Sequence, residues 1–140
     1  MKKTTEELLK ILKNTPDLGT YLSQEKDNIN TIVLAEYLQK ICKQKNVSKA
    51  QCIKQSGLDR NYAYQVFSGT KYPARDKVLA LCFGLSLSLD EIQNLLKTTG
   101  YLILYAKNKR DSVIIFAVQR GYSIINVNEL LYEMGMELVE

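Results

Sequence analysis

Arg60, Asn61, Tyr64, Gln65 and Ser68 stand at i, i+1, i+4, i+5 and i+8, a spacing that gathers them on one face of a single helix. Arginine, asparagine, tyrosine and glutamine end in hydrogen-bonding groups long enough to reach base edges in a DNA major groove, which is wide enough to take a helix. Reading base pairs is the chemistry this face could do. Nothing else in the chain offers a rival. There is no histidine, no glycine-rich phosphate loop and no nucleophile motif, and the neighbouring carboxylates Asp90 and Glu91 are explained by a helix start. No enzyme activity, catalytic residue, metal site or cofactor is expected.

Such a face must be held at a fixed angle, and the preceding residues supply the means. Ser48, followed three positions later by Gln51, reads as a capping box that opens a helix ending at Gly57. A glycine there turns the chain sharply without a Cβ penalty. Asp59 then caps the next helix, so the reading helix is expected over 59–68. Ile53, Leu58, Ala63 and Val66 fall around Gly57 at the helix-turn-helix spacing, and Ala63, Val66 and Phe67 form the inward stripe opposite the polar face.

From Val47 to about Ile92 the chain resembles the Xre/Cro-repressor type of helix-turn-helix transcriptional regulator. The likeness is carried by Ser48, Gly57, Leu58, Val66, Gly69, Pro73 and the ending Leu89, Asp90, Glu91. Ile53 and Ala63 reverse the family's usual small-then-branched order, a reversal that conserves volume across the turn. Lys49 stands where the family often has glutamine, and Phe67 where it has an acidic residue. The resemblance implies an all-α fold, a repressor-type bundle of five helices from Thr31 to Thr99, and sequence-specific binding of double-stranded DNA. Modules of this type commonly pair on half-sites about 34–36 Å apart, so a homodimer is expected.

Charge is distributed to match. Residues 38–77 carry nine basic and two acidic groups, against five and six in residues 1–37 and five and seven in residues 78–140. Phosphate neutralisation supplies most non-specific affinity for DNA. Ser48, Lys49, Lys54 and Lys71, with backbone amides near Gly69, are therefore expected to grip phosphates, while Arg60, Asn61, Tyr64 and Gln65 read bases and Ser68 closes the row. A chain of 140 residues, 46% hydrophobic and 24% charged, is an ordinary globular composition. No stretch nears the roughly 18 apolar residues of a membrane span. The Met-Lys-Lys start runs into Thr-Thr-Glu-Glu, so a cytoplasmic protein is expected. Cys42, Cys52 and Cys82 sit on apolar stripes and read as buried thiols.

The flanks divide the chain into an N-terminal helical arm (1–30), the DNA-binding domain (31–101) and a C-terminal extension (102–140). In the arm, helices are expected from Thr4 to about Lys13 and from Thr15 through Leu22, followed by a polar linker from Ser23 to Asn30. The extension is a second copy of the preceding hairpin. A shift of 35 positions superposes Arg75 on Arg110, Asp76 on Asp111, Val78 on Val113, Ser88 on Ser123 and Gly100 on Gly135. Its second helix, Ile124 to Tyr132, carries Glu129 and no basic residue, which argues against a second DNA-reading unit. Its Tyr132, Met134, Met136, Leu138 and Val139 either close a core or meet a partner. A competing function stays open: a protein-binding module on the same scaffold, using Tyr62, Tyr64 and the last hairpin against a partner protein.

Overall fold

Polar caps set most of the element boundaries. The computed structural model describes residues 4–14 and 33–140, which are helical and contain no strand. The helices are α1 (Thr5–Asn14), α2 (33–45), α3 (Lys49–Ser56), α4 (Arg60–Phe67), α5 (Arg75–Gly84), α6 (Leu89–Thr98), α7 (Lys109–Gln119) and α8 (Ile124–Glu133). The expected helix from Thr15 and the linker that follows it lie outside the described residues.

Except at α5, which starts at Ala74 without a side-chain cap, and at α2, whose preceding residues are not described, each start is held by a side chain taking a free amide of the first turn. Ser48 Oγ accepts from Gln51 N at 3.1 Å, Asp59 Oδ2 from Tyr62 N at 2.9 Å and Asn108 Oδ1 from Asp111 N at 2.9 Å. The expected box at Ser48 is half formed, with the forward bond alone among the described contacts. The complete box is Ser88–Glu91, where the carboxylate also accepts from Ser88 N at 2.9 Å. Glu91 gains a second partner in Lys45 Nζ, 2.8 Å away, which ties the end of α2 to the start of α6. The lysine first, and the Ser88 amide after it, hold the Glu91 carboxyl below its usual range.

The core is built around α5, whose residues from Val78 through Gly84 are all buried. Helix α3 packs on both α5 and α4. Ile53 and Ala63, the size-reversed pair, are both buried, and Phe67 is sealed at 1% exposure. Because Phe67 ends α4, its carbonyl would lack a helical donor. Gln39 Nε2 of α2 supplies one at 2.7 Å. Cys42, Cys52 and Cys82 are free and buried. Burial first, and the neighbouring thiol of Cys42 second, push Cys52 up to about 12, and burial also raises Cys42 and Cys82, so all three stay protonated and unreactive at neutral pH.

The duplicated hairpin is present down to single hydrogen bonds. Gln93 donates to Leu104 O and accepts from Leu104 N, both at 2.8 Å, and Asn128 does the same to Val139 at 3.0 and 2.8 Å. Arg75 reaches the carbonyls of Leu102 and Ile103, and Arg110 those of Glu137 and Leu138. The Tyr101–Tyr105 run is thus an irregular connector pinned by side chains from its own hairpin, with Leu104 buried and Leu102 83% exposed. The two hairpins then clasp each other. Arg75 forms a bidentate pair with Asp111 at 3.0 and 2.9 Å, and Arg110 forms one with Asp76 at 3.0 and 2.9 Å.

Candidate nucleic-acid interface

The candidate reading face depends on the angle between α3 and α4, and three features fix it. Gly57 takes a left-handed conformation at φ 72°, which an L side chain adopts only with strain. Ser56 Oγ donates to Ile53 O at 2.6 Å and accepts from Leu58 N at 3.2 Å, bracing the turn from within. Ile124, at the start of α8, lies where a Cβ on Gly57 would touch its Cγ2 at 3.8 Å, so the last hairpin backs the turn from outside.

On this frame α4 turns Ala63, Val66 and Phe67 into the core and leaves Arg60, Asn61 and Gln65 exposed. Among the described residues Asn61 and Gln65 make no side-chain hydrogen bond, which leaves their amides available to other groups. Tyr64 is half-buried, and the Arg60 guanidinium lies 5.8 Å from its ring centroid. Asp59 is committed to capping and forms no ion pair with Arg60. Lys54, Arg60 and Tyr64 border an open hollow of about 460 Å³ between α3 and α4, floored by Ala50, Ile53 and Leu58. The last turn of α3 therefore shares a surface with the start of α4, with a cation on each rim.

The flanking positions divide. Lys49, Lys54 and Lys71 are exposed and have no carboxylate within ion-pair distance among the described residues. Ser48 is exposed but its oxygen already accepts from Gln51 N. Ser68 is engaged at the helix end, donating to Gln65 O at 3.1 Å and lying 2.9 Å from Thr70 Oγ1. The amides expected to grip phosphate near Gly69 are committed as well. Gly69 N donates to Val66 O, and Thr70 N and Lys71 N both donate to Gln65 O, at 2.8 and 3.2 Å.

The basic block also shrinks on folding. Lys45 is paired with Glu91, Arg75 with Asp111, and Lys77 lies 5.4 Å from the centroid of the Tyr62 ring. Only the last of these involves a residue on α4, the half-buried Tyr62. All three belong to the basic block of residues 38–77. The repeat could have flagged Arg75, since the Arg-Asp dipeptide recurs at 110–111.

No metal-holding group of histidine, cysteine or carboxylate side chains occurs among the described residues, and no helix there is long and apolar enough to cross a membrane. No protein family, curated protein or solved structure matches the chain.

Proposed function

We propose that the chain is a sequence-specific double-stranded DNA-binding transcriptional regulator of the cytoplasm, a repressor-type helix-turn-helix protein of the Xre/Cro kind that reads the major groove with α4. The supporting observation is the exposed row Arg60, Asn61 and Gln65 on the helix after the Gly57 turn, flanked by lysines with no carboxylate partner among the described residues. Two copies pair on two half-sites, and the exposed Ile125 and Tyr132, seven residues apart on α8, form the apolar side suited to that contact. The same exposed side favours the second reading, in which the chain acts on a partner protein and not on DNA.

The test separates positioning from reading. Lys49→Ala or Lys71→Ala weakens binding to every duplex alike and lowers the salt slope by about one unit each, because each removes a phosphate contact. Gln65→Ala costs about 1–3 kcal/mol on the selected site and little on random duplex, since it removes a base contact and no charge. Titrations at two salt concentrations, on a site selected from a random library, read both effects. Equal losses for Gln65→Ala on selected and random duplexes, or no loss for any variant, would transfer the assignment to the protein-partner reading.

A further inference from the structure

A shift of 35 positions exchanges Arg75 with Arg110 and Asp76 with Asp111, and in doing so exchanges the two ion pairs with each other. Helix contacts obey the same exchange, with α5 lying on α8 and α7 on α6. A contact in which residue i of one unit meets j of the other, while j meets i, is isologous, the form that two copies of one chain adopt about a two-fold axis. Each hairpin therefore carries both halves of the contact. We propose that the face of the 75–104 hairpin is a self-recognition surface whose partner is the same face of a second copy of this chain, and that the 110–139 hairpin covers it within the chain.

Packing supports the substitution of one hairpin for the other. Val78, Leu79 and Leu96 are fully buried, and their counterparts Val113, Ile114 and Leu131 are buried at 7% exposure or less. These pairs are identical or isomeric, so a second copy's 75–104 hairpin offers nearly the same volume, a change that cores tolerate. Room exists for the rest of that copy. Gly84 of α5 is covered by α3, whereas its counterpart Gln119 in α7 is exposed, and Phe116 beside it is 40% exposed. The site that a second copy's α3 would enter is open.

The short connector after Tyr105 gives the covering hairpin an effective concentration in the millimolar range or above, so the closed chain prevails until the clasp is loosened. The full-length double variant Arg110→Asp with Asp111→Arg sets like charges against Arg75 and Asp76 while leaving the 75–104 hairpin untouched. At a matched concentration low enough for the wild-type chain to sediment as a monomer, its mass should double to that of a dimer. Adding Arg75→Asp and Asp76→Arg to the same chain restores opposite charges across the clasp, and the mass should return to the wild-type value. A double variant that keeps its helical signal and the wild-type mass overturns the proposal, as does doubling by the quadruple variant. If the double variant loses its helical signal, Asp111→Asn replaces it. That milder change should raise the association constant of the doubled species about tenfold or more, and an unchanged constant overturns the proposal. Because mass is read without DNA, the outcome is independent of whether α4 reads bases.

Discussion

Replacing Gly84 with alanine destabilises the fold by about 3 kcal/mol or more, at the upper end of overpacking costs. A Cβ at this position would fall inside van der Waals contact of the Cys52 carbonyl oxygen and 3.1 Å from Ser56 N. Both obstacles are backbone, so no rotamer change relieves the clash and α3 must move off α5. Cys52 and Ser56 lie in the helix that carries the Gly57 turn, so the displacement reaches the α3–α4 angle. The control is Gln119→Ala at the repeat-equivalent position, which is exposed and should change stability by less than about 0.5 kcal/mol. Urea unfolding of both variants checks the pair. A loss below about 1 kcal/mol for Gly84→Ala would mean that α3 and α5 part freely, and the close approach would not be what fixes the turn.

Gly84 also shows where reading the sequence stops. Helix existence was legible because caps and apolar periods are local: Ser48, Asp59, Ser88 and Ser123 all open helices within a residue of expectation. The 35-residue repeat was legible for the same reason, since like units repeat like local signals. The meeting of α3 with α5 was not, because a glycine at the end of an apolar run reads as a helix stop, and only the three-dimensional neighbour makes it a contact. The repeat held a usable clue in the contrast of Gly84 with Gln119, one covered and one bare.

The candidate interface was legible to a similar depth. Periodicity placed Arg60, Asn61 and Gln65 outward, because a helix face follows directly from spacing. It could not show that Tyr64 is half-buried beneath Arg60, or that the amides near Gly69 close the end of α4 upon Gln65 and Val66. Charge counting failed most clearly at Lys45 and Arg75, whose partners Glu91 and Asp111 lie 46 and 36 positions away. Net charge is a property of composition, whereas available charge is a property of the fold.

Asp111→Asn lowers stability by about 2 kcal/mol at neutral pH, and the loss fades in acid. Asp111 is 6% exposed and its carboxylate accepts three hydrogen bonds, two from Arg75 and one from Tyr105 N, so its charge is held by a converging set of donors. Removing one partner of a fully buried pair costs about 3–5 kcal/mol; Arg75 keeps 24% of its side chain in solvent, which moderates that cost. Burial alone would raise the Asp111 carboxyl, but the hydrogen bonds from Arg75 and from the Tyr105 amide, with the charges of Arg75 and Arg110, hold it below its usual range. A depressed folded-state value means that the ion pair's contribution is complete above about pH 4, where the unfolded aspartate is ionised, and is lost as pH falls through the lower folded-state value. Asparagine cannot titrate. The stability gap between wild type and Asp111→Asn should therefore be widest near neutrality and close as pH drops below about 4. Denaturant unfolding at a series of pH values measures it, and a gap that stays constant into acid would show that the position contributes through packing alone.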